Sequence, residues 1–392
     1  MEKVQSTTKT VLSNMGKLGS AMKQKLMNMV FDNSNRGKYV IIGFIIAIFI
    51  LILYFLYRLS RYTSVHCDRI KKVYKNGPSN ISSLNMLSGE YKDAQLRDFY
   101  IKTAYNCCAL GEFKNTFVNM CALRNVLKQG ARCLDFEIYT VDNKPVIAVS
   151  SINSYKFKQS FNYIDLSDAL IFIIGNAFSG NLCPNPNDPL ILHFRIMTQH
   201  KNIIKAMAIG ITNILSERLL DNTYDDEYGG QNLGGVYMKD LMGKIIISCN
   251  SGNKALLNTP EMVKIINIMS GSVFLRQLRE HDILYSPDTS ALTEYNKKNM
   301  TIALPNIGPS DKNLPVTLCL EYGIQMIAMC YQNFDSNMEY NEVFFGENGS
   351  AFVLKPHRLR YIQQTIPRPK PLPKNLSFAP RTMKTSYYNF KI

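Results

Sequence analysis

Gly130–Ile147 reads GARCLDFEIYTVDNKPVI, and the reading of this stretch decides the fold. Its first half, Cys133–Tyr139, is a short apolar and β-branched run predicted as a strand, and a second such run, Pro145–Val149, follows. Similar runs recur downstream at Leu190–Phe194, Lys244–Ser248, Met300–Leu304, Ile324–Tyr331 and Ala351–Leu354. Helical patterns fill 114–128, 200–220 and 260–280 between them. Apolar strands separated by helices predict a parallel α/β fold whose strands are covered on both faces. A closed barrel and a doubly wound open sheet share this pattern.

The 392 residues hold an N-terminal extension and one large domain, since an α/β barrel of about 250 residues commonly forms a single unit. The net charge of +15 is concentrated at the ends: residues 1–75 carry +10, residues 357–392 carry +8, and the centre carries −3. A nucleic-acid-binding domain would place its positive charge on its own folded face, so no nucleic acid is expected as a partner. Basic ends beside a membrane segment fit attraction to anionic lipid.

That membrane segment is Tyr39–Tyr57, YVIIGFIIAIFILILYFLY, nineteen residues without a charge. As a helix it rises about 28 Å, close to the thickness of a hydrocarbon core. The predicted organisation is a basic, amphipathic N-terminal arm over 1–38, a transmembrane helix over 39–59, a juxtamembrane linker over 60–87, a barrel over 88–356 and a basic, proline-rich tail over 357–392. Lys23, Lys25, Arg36 and Lys38 precede the span, while Arg58, Arg61, Arg69, Lys71, Lys72 and Lys75 follow it; the slight excess after it favours a cytoplasmic barrel. In the arm, Val11, Leu12, Met15, Leu18, Met22, Leu26 and Met29 recur at helical steps between lysines. The tail segment IPRPKPLPKNLSFAPR predicts extended chain, because proline removes backbone donors and fixes φ. A PxxP reading makes it a weak candidate ligand for an aromatic groove.

Nine cysteines are an odd number, and Cys133, Cys249, Cys319 and Cys330 sit in apolar strand-like runs. This argues against a disulfide framework and for a reducing compartment. The five histidines, His66, His193, His200, His281 and His357, form no zinc signature.

Specific residues add what periodicity leaves open. Gly323–Phe334 reads GIQMIAMCYQNF and Met338–Pro356 reads MEYNEVFFGENGSAFVLKP; Asp98–Cys107 reads DFYIKTAYNC and Asp188–Ile196 reads DPLILHFRI. Taken in chain order with Gly130–Ile147, they resemble the catalytic barrel of phosphoinositide-specific phospholipase C. The resemblance covers about 88–356 and implies a TIM-like (β/α)8 barrel of the phosphodiesterase type, preceded here by one transmembrane helix.

It also implies a site, and this chain departs from it. The two acid–base histidines of the family fall on Tyr105 and Val149, neither of which shuttles a proton near neutral pH. The calcium ligands of the family fall on Asn106, Asp135, Glu137 and Arg195, the last a cation where the family has a carboxylate. A guanidinium opposes a divalent ion there and can pair with Asp135 and Glu137 in its stead. Family positions that hold substrate phosphates fall on Ser248 and Asn250 in GKIIISCN and on Ile302 and Leu304 in TIALP, with Lys254 as a partial replacement nearby.

The expected function is therefore a membrane-anchored phospholipase C-like pseudoenzyme with a binding or structural role, needing no cofactor. Its expected partners are the lipid bilayer, anionic lipids through the basic ends, and an unidentified protein. The alternative is an active phosphoinositide or phosphodiester hydrolase that uses rearranged residues and takes calcium as its cofactor, with Asp135, Glu137, Tyr105 and His193 as its candidate acid–base groups.

Overall fold

The computed structural model describes residues 24–25, 35–75, 80–86, 89, 91–362, 369–370, 376 and 379–391. The amphipathic pattern expected between Val11 and Met29 lies almost wholly outside them, as does most of the proline-rich run.

The runs around Gly130–Ile147 fold as staves of one circle. In chain order the strands are β1 Phe99–Ala104, β2 Cys133–Val141, β3 Lys144–Ile147, β4 Ile164–Asp165, β5 Leu190–Ile196, β6 Ile245–Asn250, β7 Ile268–Ser270, β8 Leu275–Arg279, β9 Met300–Leu304, β10 Met326–Met329 and β11 Phe352–Leu354. Eight are parallel, in the order β7-β6-β5-β2-β1-β10-β9-β8, and helices cover the outside. A nearly closed parallel barrel results, which excludes the doubly wound sheet. All residues of β1, β5 and β9 are buried, which is why these strands read as unbroken apolar runs.

Several expectations are corrected. Two of the predicted runs are not staves: β3 folds back antiparallel on β2, and β11 pairs antiparallel with β1. Asp142 and Asn143 adopt φ of 48° and 57°, the left-handed pair that a two-residue hairpin turn requires. The predicted helix over 260–280 is a five-residue helix, Pro260–Lys264, followed by β7 and β8. Between those strands Gly271 turns the chain at φ +89°, and a Cβ there would meet Ser251 Oγ at 2.6 Å. The helix expected from 114 begins at Met120, because Asn119 accepts from Cys121 N at 2.9 Å as its N-cap. The tail carries a small exposed hairpin, Thr382–Lys384 with Asn389–Lys391, where extended chain was expected.

The first described long helix, α1 (Asn35–Val73), continues without a break from the apolar run through 60–73, half of the stretch read as a linker. It is long and apolar enough to cross a membrane, with a mean hydropathy of 3.0 in its best window, none of which is buried.

The cysteine reading holds at Cys133, Cys249, Cys319 and Cys330, which are free and buried, and is corrected at one pair. Cys67 on α1 is disulfide-bonded to Cys121, the second residue of α2 (Met120–Lys128), while the other seven cysteines are free and buried. The inference to a reducing compartment thereby loses its premise.

Candidate functional site

Parallel register gathers the site. Along β2 and β5, Asp135 lies beside His193 and Glu137 beside Arg195; on the next strand Ser248 lies beside His193. Alternation along a strand carries residues two apart to one face, so two rows of polar side chains form at the C-terminal ends of the staves, where barrels of this type place their sites.

Asn106, just past β1, has φ +44°, a conformation that asparagine tolerates better than most residues. Its backbone N donates to Asp135 Oδ2 at 3.1 Å. Into the space between Asn106, Asp135 and Glu137 comes Arg195. Its Nε and Nη2 donate to Asp135 at 2.9 and 2.7 Å, its Nη2 donates to Asn106 Oδ1 at 2.8 Å, and its Nη1 to Glu137 Oε1 at 2.5 Å. Glu137 Oε2 accepts from Tyr139 Oη at 2.9 Å and from Ser150 N at 3.0 Å. The Tyr105 ring lies against the guanidinium, 4.4 Å from Cζ to centroid.

Burial alone would raise the Asp135 carboxyl, but Arg195 and the hydrogen bond from His193 outweigh it and hold the group well below the usual carboxylate range. Burial would likewise lower Arg195, and Asp135, Tyr105 and Glu137 reverse this, so the guanidinium stays charged. Burial pushes the Tyr105 phenol up to about 12, partly offset by Arg195.

The resemblance implies calcium at this position. The oxygens of Asn106, Asp135 and Glu137 that would face a cation are occupied as acceptors by one cationic side chain. The residues present do not fit a divalent ion in this arrangement. Among the described residues no group of three His, Cys, Asp or Glu side chains converges to hold a metal.

His193 and Arg195 both reach Asp135, yet only Arg195 lines the adjoining cavity. His193 Nδ1 bonds Asp135 Oδ1 at 2.7 Å and its Nε2 bonds Ser270 Oγ at 2.8 Å. Carboxylate, imidazole and hydroxyl in series are the parts of a nucleophilic hydrolase. Here all three are at most 1% exposed, and neither Ser270 nor His193 reaches the cavity wall.

The cavity itself, about 70 Å³, is lined by Tyr105, Glu137 and Arg195 together with Ser150, Asn250, Gln277 and Arg279. Of the expected phosphate positions only Asn250 borders it, with Oδ1 accepting from Ile196 N at 3.1 Å. Ser248 is buried, with no hydrogen-bond partner for Oγ among the described residues. Ile302 and Leu304 are packed in the core, as is Val149. Lys254 is exposed on a short helix and does not border the cavity. Sequence reasoning missed Gln277 and Arg279, which it had placed in a helix. The alternation in Leu275–Arg279 and the Ser270-Gly271 turn were the signals that mark them as strand residues.

Profiles of two adjoining domains match the chain. Phosphatidylinositol-specific phospholipase C, X domain, matches residues 92–251, and the Y domain of the same enzymes matches 244–358. Among solved structures, PLC21 of L. pealei is 21% identical with a TM-score of 0.57, covering 71% of this chain and 38% of its own. PLC21 of S. officinalis is 20% identical with a TM-score of 0.56, covering 72% and 39% respectively. The chain thus spans under two fifths of the length of these two proteins. No curated protein sequence matches it.

Proposed function

The chain belongs to the phosphatidylinositol-specific phospholipase C family, and from that premise we propose a membrane-anchored member that does not cleave phosphodiesters and serves as a binding or structural component at a lipid surface. The observation that carries this reading is the Arg195 guanidinium bonded to Asn106, Asp135 and Glu137. It supplies the positive charge that those oxygens need and engages both carboxylates as hydrogen-bond acceptors. Cleavage of a phosphodiester needs a base for the attacking hydroxyl and an acid for the leaving oxygen. Tyr105 is held protonated and Val149 has no exchangeable proton, so neither part is filled.

The membrane half of the proposal rests on the apolar surface of α1. From Tyr39 to Tyr57 its large apolar side chains are exposed along the helix, a continuous patch far beyond what a protein in water leaves uncovered. The bilayer is the partner that covers it, and the basic flanks suit anionic headgroups.

The second reading, a hydrolase with rearranged residues, is favoured by the Asp135–His193–Ser270 series. Family membership makes a phosphoric diester hydrolase its reaction class. The deciding experiment is inositol phosphate release from phosphatidylinositol vesicles by the full-length protein, with and without calcium. The expected result is no release above background in either condition; turnover of about 1 per second or more overturns the first reading.

A further inference from the structure

Beyond the apolar run, α1 is built into the barrel. Tyr62 Oη bonds Thr116 Oγ1 at 3.3 Å, His66 Nδ1 bonds Leu110 O at 3.0 Å, and Tyr74 Oη donates to Tyr331 O at 3.0 Å. Ile70, between His66 and Tyr74, is buried in the barrel core. Four-residue steps keep these side chains on one helix face. Gly111 lets the helix approach closely, since a Cβ there would lie 2.7 Å from Tyr62 Oη.

The contacted segments follow β1 and β10, so the helix docks at the rim that carries Asn106, Glu137 and Arg195. Cys67, one residue after His66, closes this contact through its bond to Cys121.

We propose that the barrel folds on the oxidising side of the membrane, and that the Cys67–Cys121 bond there clamps its site-bearing rim to the emerging helix. Disulfides persist where thiol-reducing systems are absent, and this one joins a membrane-proximal helix to the domain it carries. The two thiols lose two protons and two electrons to an incoming protein disulfide, which departs as a dithiol. The seven remaining cysteines are buried and do not compete. The positive residues on the two sides of the span are too evenly divided to oppose this orientation strongly. The inference rests on the membrane-anchored reading above.

The test uses the full-length wild-type chain in sealed microsomes from animal cells, so no variant has to fold. Thiols are blocked before lysis, and the unreduced protein is digested and analysed by mass spectrometry. The expected result is a linked Cys67–Cys121 peptide pair, with the barrel protected from added protease until detergent opens the vesicles. Blocked thiols at both positions, or digestion of the barrel in sealed vesicles, overturn the proposal. Carbonate extraction separates the two readings: release with the link intact refutes the anchor, while retention with free thiols refutes the clamp.

Discussion

Arg195 carries one fixed positive charge where a calcium ion would carry two, and it brings donors in a planar fork that match the oxygens of Asp135 and Asn106. Removing it takes the guanidinium from two buried carboxylates, so Arg195→Ala is expected to lower stability by about 3–5 kcal/mol, read by chemical denaturation. Arg195→Glu is expected to be destabilised further in chelator and to regain stability with calcium, while the wild-type melting temperature does not respond to the ion. A calcium-dependent rise in the wild type would show that the metal site survives. Asp188 supplies a separate pH signature. Burial pushes its carboxyl up to about 6, against hydrogen bonds from Leu84 N and Asn185 and the charge of Arg132. The folded state therefore holds a proton that the unfolded state releases, and the associated stability is present below about pH 4 and lost as pH rises to about 6. The expected loss is on the order of 3 kcal/mol, and Asp188→Asn should flatten the denaturation midpoint across that window. Asp135 acts with opposite sign at lower pH: its carboxyl is held down, and its contribution is lost only as pH falls below the usual carboxylate range. At this scale the sequence was informative wherever a family position changed residue type, as at Tyr105 and Arg195. It was silent on partners that depend on register, so Ser270, the partner of His193, could not be found from spacing alone.

Elements were legible where burial is complete. Met300–Leu304 coincides with its predicted run, because a strand covered on both faces needs no alternation to be seen. They were illegible where two short elements meet at a turn: residues 260–280 mix Met, Ile and Leu closely enough to imitate a helix, and the break is marked by Gly271 and the alternation after it. The antiparallel roles of β3 and β11 were hidden for another reason, since pairing direction is a property of topology and leaves no mark on a four-residue run. The Cys67–Cys121 bond was hidden because its partners lie 54 residues apart on elements whose meeting no local pattern announces. A cross-link of that span removes chain entropy from the unfolded state worth about 4 kcal/mol in the loop-closure estimate. The Cys67→Ser/Cys121→Ser double variant should accordingly unfold at lower denaturant, by about 2–5 kcal/mol, while single substitutions at buried free cysteines such as Cys249→Ala follow ordinary packing costs. An unchanged midpoint would mean that the helix holds its place without the bond.

For the molecule as a whole, two sets of parts point the same way: a helix with an apolar exterior, and a site whose charges are already paired. Both were foreshadowed in sequence, the first by nineteen uncharged residues and the second by five stretches in family order with substituted positions. The two halves of the proposal, the membrane anchor and the inactive site, are therefore tested by separate experiments. Retention of the chain in the membrane pellet after high salt and carbonate is expected, because salt screens charges over about 10 Å and leaves apolar burial intact. The harder test rebuilds the site. Arg195→Glu alone supplies one carboxylate but no proton shuttle, so it should give no inositol phosphate release. Tyr105→His and Val149→His add groups that titrate near neutrality, but Val149 is packed in the core beside Ser160 and is not on the cavity wall. The triple variant should therefore bind calcium yet turn over slowly at best, since one of its two histidines enters a core position that does not line the cavity. Enzyme-like release by the triple variant would show that the segment after β3 rearranges when the site is reoccupied. Release by Arg195→Glu alone would instead assign proton transfer to residues already present, with His193 and its partner Ser270 the first to be substituted.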